Sequence, residues 1–200
     1  MKLKLDQTRT YDKDGLRRRA ACLCLRSKEK IEILLVTSSR HSHLWIVPGG
    51  GLDPGEGPST AALREAHEEA GVNGKILELL DIFENSARKT RTYVYVVLVE
   101  SLNDDYDDAK NIGRMRKWFT LDDACAQLQV HKPVQMAYIR TYMKRQTADL
   151  SLTNDSFQNI DEAHLLNCEC DKDLTKCDHA CHITYNNMTL NTDSTNVPVQ

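Results

Sequence analysis

No apolar run in this chain is long enough to cross a bilayer. The longest, Tyr93–Val99, is strand-sized, whereas a membrane helix needs about 20 such residues. The N-terminal Met1-Lys2-Leu3-Lys4 lacks the apolar block of a secretory signal, so the expected compartment is the cytosol, with the nucleus as a second. A disulfide framework is missing as well: the seven cysteines, an odd number in irregular spacing, fit reduced thiols. There is no internal repeat. What is present is core material, since 40% of the 200 residues are apolar, enough for one domain of ordinary size.

The net charge of −3 conceals a division. Residues 146–200 hold nine acidic and two basic side chains, net −7, which leaves +4 for residues 1–145. The N-terminal part is thus the one suited to an anionic ligand. The tail has only Phe157 and Tyr185 as aromatics and ends in Asn/Thr-rich sequence; disorder is expected there, with at most a weak helix around Ile160–Leu166. It carries Cys168, Cys170, Cys177, His179, Cys181 and His182. Those side chains suit Zn²⁺, but Cys-x-Cys is tight for a zinc knuckle and little apolar sequence surrounds it, so a thiol-containing flexible tail is the preferred reading.

Alternating or apolar runs predict strands at Ala20–Leu25, Glu32–Thr37, Trp45–Val47, Ile76–Phe83, Arg91–Glu100 and Lys117–Thr120. Thr120 can cap a helix through about Leu128, and Pro133 can open another through about Lys144. Asp104–Asp108 reads as an acidic surface loop, His41 and His43 as solvated loop residues, Cys22 and Cys24 as core thiols. Many strands with few, well-spaced helices predict an α/β fold, a mixed sheet between helical layers.

The densest pattern runs from Gly50 to Val72. Gly50, Glu56, Arg64, Glu65, Ala66, Glu68, Glu69, Gly71 and Val72 occupy the fixed positions of G-x5-E-x7-R-E-U-x-E-E-x-G-U, U being apolar or bulky. Pro58 suits the first turn of a helix and Gly71 the position past its end. Leu63, Ala66, His67 and Ala70 are expected to face inward, with Glu65, Glu68 and Glu69 on the opposite face. Three carboxylates so close repel unless a cation joins them; Mg²⁺, or Mn²⁺ in its place, is a hard ion that prefers oxygen ligands. Glu56 could add a carboxylate, Gly49 or Gly50 a carbonyl, and Arg64 could orient a glutamate or meet a phosphate. Basic residues surround this segment as a set: Arg17-Arg18-Arg19, Arg40, Arg88-Lys89, Arg91, Arg9, Arg114, Arg116 and Lys132. Such a set favours a ligand with many phosphates.

The Gly50–Val72 segment resembles the signature of the Nudix hydrolases. Arg18-Arg19-Ala-Ala-Cys-Leu-Cys, Leu35-Val-Thr-Ser-Ser-Arg40, Trp45-Ile-Val-Pro-Gly-Gly-Gly51, Ile82-Phe-Glu-Asn85, Asn111-Ile-Gly-Arg114 and His131-Lys-Pro-Val134 are similar to the diphosphoinositol polyphosphate phosphohydrolases within them, from about Thr8 to Arg145. The resemblance implies an α/β/α Nudix sandwich over residues 1–145 that hydrolyses inositol pyrophosphates to inositol polyphosphate and phosphate. It implies that Glu65 and Glu69, with the Gly49 carbonyl, hold Mg²⁺ while Glu68 acts as base, although these duties vary among Nudix enzymes and Glu68 also belongs with the metal set. Arg9, Arg17, Arg18, Arg19, Ser38, Ser39, Arg40, Arg88, Lys89, Thr90, Arg114 and Lys132 would contact substrate. Thr90 stands where that family often has histidine, and Asp53–Pro58 is less acidic than its usual loop.

The alternatives keep the site and change the ligand: a diadenosine polyphosphate, capped RNA or inorganic polyphosphate. A non-catalytic polyphosphate sensor is the reading from another class. Tyr11 alone among the aromatics lies near the N-terminal arginines, which favours inositol over a stacked nucleobase. No membrane partner is expected, and a monomer is the expected state.

Overall fold

A computed structural model describes residues 8–148; the tail readings above, including the Cys/His group, lie outside them. Four strands come first: β1 (Arg17–Leu25), β2 (Glu32–Thr37), β3 (Trp45–Ile46) and β4 (Gly49–Gly51). Helix α1 (Pro58–Ala70), long strands β5 (Val72–Asn85) and β6 (Thr90–Leu102), short helix α2 (Asp107–Ile112), β7 (Arg116–Thr120) and α3 (Leu121–His131) follow. A last helix, α4, covers residues 133–148 up to the limit of description.

The strands form one mixed sheet in the order β3-β2-β1-β6-β5, with β4 on β1 and β7 on β2. Only β1 and β6 pair in parallel, from Arg17 opposite Thr90 to Leu25 opposite Leu98. Side chains of β1 alternate between two cores. Ala21, Leu23 and Leu25 pack with Leu128 of α3 and Tyr138, Ile139 and Tyr142 of α4. Ala20, Cys22 and Cys24 pack with Ala61, Ala62, Ala66 and Ala70 of α1. Both faces are covered, so β1 is apolar without alternation over Ala20–Leu25, as a central strand should be. The result is the expected helix–sheet–helix sandwich.

Four local expectations fail, and one strand, β4, was not among those expected. Three glycines have little strand propensity, yet Gly49–Gly51 pairs with Arg19–Ala21 as β4. Strand β5 begins at Val72, directly after α1; its polar start was hard to read because β5 is an edge strand with three register shifts against β6. The acidic stretch is not a loop throughout, since Asp107 and Asp108 open α2 and Asp108 is buried. His67 is exposed and meets Asn73, because the face of α1 turned to the sheet is lined by Ala61, Ala62, Glu65, Ala66, Glu69 and Ala70. Two of the three glutamates thus belong to the inward face.

Candidate active site

Helix α1 starts at Gly57, whose carbonyl accepts the Ala61 N–H, and Pro58 fits the first turn. It stops at Gly71, which is left-handed (φ 64°) and donates its N–H to the His67 carbonyl. A β-carbon at Gly71 would also lie 2.1 Å from the Asn103 carbonyl oxygen, so the helix ends tightly against the chain leaving β6. These two ends set the rotation of α1 and aim its glutamates at β4.

Glu65 is 1% exposed and Glu69 is 7% exposed. The Glu65 carboxylate lies directly on the backbone of Gly50, where an added β-carbon would come within 2.1 Å of Oε1. At Gly49 an added β-carbon would meet the Ala20 carbonyl oxygen at 2.5 Å, so β4 closes on β1 only without a side chain there. The Gly49 N–H donates to Glu69 Oε2 (2.8 Å), and its carbonyl accepts from Arg19 Nη2 (3.1 Å). Glycine at both positions lets the main chain reach the acids.

Two arginines organise the carboxylates. Arg64 makes a paired contact with Glu56, Nε to Oε1 and Nη2 to Oε2, both 2.8 Å, and Nη2 also donates to the Gly51 carbonyl. Its Nη1 reaches Glu65 Oε1 at 3.1 Å and Glu68 Oε1 at 3.4 Å. The hydrogen bond from Arg64 holds the Glu56 carboxyl below its usual range, so Glu56 serves Arg64 directly. Arg114 is buried, with Nη1 2.7 Å from Glu69 Oε1 and Nε 3.3 Å from Asp108 Oδ2. Burial, reinforced by the like charge of Glu65, pushes the Glu69 carboxyl up to about 7 against the opposing pull of Arg114.

Among the described residues no three His, Cys, Asp or Glu side chains are gathered as one metal-ligand set; arginine nitrogens face these oxygens instead. The donors nevertheless suit a hard divalent ion. They are all oxygen, two of the carboxylates are buried at a cost that a cation would relieve, and the Gly49 main chain meets one of them through its N–H. Glu68 is more accessible and also meets Arg64.

The basic residues come from five separate segments. Burial and then Arg88, Arg19 and Arg40 hold the Lys132 ammonium below its usual value. Burial and then Arg19 and Arg9 do the same to Arg17, with Glu65 pulling the other way. Arg9, Arg17, Arg19, Arg40, Arg88 and Lys132 are thus electrostatic neighbours, and Arg19 Nη2 on the Gly49 carbonyl sets this positive rim beside the acids. Arg88 is set by a short 3-10 turn, Ser86–Arg88, where Asn85 Oδ1 accepts the Arg88 N–H (3.0 Å) and Lys89 is left-handed. Thr90 begins β6 opposite Arg17, while Ser39 and Arg40 are exposed next to buried Ser38. Arg18 alternates to the other face of β1, near Asp12. Arg114 meets Glu69 and Asp108 instead of joining the rim.

Two features escaped the sequence reading. Asp108 anchors Arg114, and an acidic first turn followed by Gly113 past the helix end was the available signal. Arg91 binds Asp12, Asp14 and Glu84 and so ties the segment carrying Arg9 to the sheet; nothing local in the sequence foretold that.

A family description, NUDIX domain, matches residues 15–142. Diphosphoinositol polyphosphate phosphohydrolase 2 of Mus musculus is 57% identical over 139 residues, covering 70% of this chain and 78% of the relative. Diphosphoinositol polyphosphate phosphohydrolase 3-beta of Homo sapiens is 56% identical over 140 residues, covering 70% and 85%. Among solved structures, a NUDIX hydrolase from Nitrosomonas europaea superimposes with TM-score 0.54 at 24% identity over 64% of this chain and 89% of that one. A C. elegans Ap4A hydrolase in a binary complex gives 0.51 at 24% identity, over 65% and 98%; at such identity both speak for the fold alone. Nudix hydrolases use a divalent metal, in keeping with the oxygen donors on α1. The chain belongs to the NUDIX-domain family and, within it, to the diphosphoinositol polyphosphate phosphohydrolases.

Proposed function

We propose that this protein is a Mg²⁺-dependent hydrolase that cleaves the diphosphate of diphosphoinositol polyphosphates, releasing orthophosphate and leaving an inositol polyphosphate. The observation that carries the reading is the meeting of two opposite groups at Gly49, whose N–H contacts the buried acid Glu69 and whose carbonyl accepts from Arg19 of the positive rim. The relatives named for this activity support it, aligned over most of their own length.

In this reading Glu65, Glu69 and the Gly49 carbonyl would hold the ion, and Glu68 could share that duty. When bound, Mg²⁺ (or Mn²⁺) supplies positive charge to the diphosphate and eases departure of the phosphate. Glu68, the more accessible acid, takes the proton of the attacking water. Arg64 holds Glu65 and Glu68 in place through Nη1, and Arg114 holds Glu69. Arg9, Arg17, Arg19, Arg40, Arg88 and Lys132 grip the remaining phosphates, and their mutual repulsion in the free protein is relieved by a polyanion. Ser38, Ser39, Lys89 and Thr90 border the same segments, with Arg18 at the edge. Charge neutralisation and positioning supply most of the acceleration.

A diadenosine polyphosphate is the second reading, since Tyr11, 55% exposed and paired through its backbone with Arg17, offers a single stacking surface where a dinucleotide has two bases. Turnover of a diphosphoinositol polyphosphate, a diadenosine polyphosphate and a capped RNA should be compared under identical conditions with Mg²⁺. The inositol substrate is expected to give the highest kcat/KM; a higher value for either nucleotide would replace the reading.

A further inference from the structure

The loop after β2 brings His41 and His43 together, ring centroids 6.1 Å apart, and carries His41 to 5.7 Å from the ring of His131 at the end of α3. The trio spans two elements that also feed the positive rim, since Arg40 precedes His41 and Lys132 follows His131. Basic groups bear on His131 from three sides: Lys132 at its own helix end, His41 and His43 from the facing loop, and Arg88 from the β5–β6 turn. Burial first, and then these charges, hold the His131 imidazole below its ordinary value, favouring the neutral ring in the free protein. A ligand with many phosphates reverses the sign of that field. Imidazole is the side chain whose charge can respond near neutral pH.

We infer that His41, His43 and His131 form a protonatable margin of the polyphosphate site, taking up protons when a highly phosphorylated inositol binds. The inference rests on the substrate reading above and deepens it. Lysine and arginine supply a fixed positive charge, whereas imidazole can gain charge in response to a bound polyanion. Affinity for the inositol phosphate should therefore rise as pH falls toward about 6, and the change should appear in KM more than in kcat.

The test is calorimetric titration of the full chain with inositol hexakisphosphate, which has no diphosphate to hydrolyse. A chelator is kept present so that metal exchange at the glutamates releases no protons. Titrations at one pH near 6.5 in two buffers of different ionisation enthalpy count the protons taken up. The ligand's own phosphates also exchange protons, so the quantity of interest is the wild type minus the triple variant H41Q/H43Q/H131Q. The wild type should take up more protons than the triple variant. Its affinity should also gain roughly tenfold more than the variant's between pH 8 and pH 6, the two converging near pH 8. H41Q/H43Q, altering exposed positions only, should lose part of the difference and guards against a folding defect from changing His131. Tight binding with equal proton uptake in wild type and variants would overturn the inference and leave the substrate reading standing. Failure of the wild type to bind inositol hexakisphosphate at all would overturn both.

Discussion

Replacing Gly50 with alanine would set a methyl carbon 2.1 Å from Oε1 and 2.2 Å from Cδ of Glu65. Carbon and oxygen do not approach closer than about 3.2–3.5 Å without repulsion, so the carboxylate must retreat by roughly 1 Å. It has little room to do so, being 1% exposed and held by Arg64. Overpacking of this kind costs about 1–3 kcal/mol of stability, and a 1 Å misplacement of a catalytic group costs about 100-fold in rate. G50A should therefore remain folded with a lowered melting temperature and lose about two orders of magnitude in Mg²⁺-dependent phosphate release. The control is G55A, where φ is 78° and an added β-carbon meets nothing within 4 Å. It should lose about 1 kcal/mol through backbone strain and keep its turnover. Phosphate release and thermal melting of both variants decide the matter. Wild-type turnover in G50A would refute the placement of the Glu65 carboxylate against Gly50 as a requirement of catalysis.

The raised Glu69 carboxyl makes a signed pH prediction for the metal-free protein. Its folded value, about 7, exceeds the ordinary 4.5, so its contribution to stability is fully present below about pH 4.5 and is lost as pH rises to about 7, on the order of 3 kcal/mol. In denaturant melts with a chelator, E69Q should flatten that part of the profile; an unchanged slope would contradict it. Asn85→Ala removes the acceptor of the Arg88 N–H, a loss of about 1 kcal/mol by analogy with other caps. It should raise KM severalfold with little change in kcat; steady-state kinetics showing the reverse would place Arg88 elsewhere in the reaction.

How far the sequence carried depended on how local each cause was. The bounds of α1 were legible because Pro58 and Gly71 act within one turn. The two-sided burial of β1 was written in its unbroken apolar run. The glutamate spacing revealed the acids, but not that Glu65 and Glu69 point inward; this follows from alanines at 61, 62, 66 and 70, which let α1 sit close to the sheet and carry its acids under β4. Strand β4 was invisible because glycine carries no strand signal, and only its register with Arg19–Ala21 creates it. The basic rim was legible as an excess of charge. Its convergence depends on β1 lying parallel to β6 and on the turn at Ser86–Arg88, neither of which a local pattern specifies. Arg114 illustrates the limit: its positive charge is obvious in the sequence, but its burial between Glu69 and Asp108 requires the whole fold.

The central claim is that the acids of α1 perform the hydrolysis, and its most direct test is phosphate release from a diphosphoinositol polyphosphate with Mg²⁺ by wild type, E68Q and E69Q, each checked for folding. Folded variants with turnover reduced by about 10³-fold or more are the predicted result. Wild-type turnover in both variants would contradict the account.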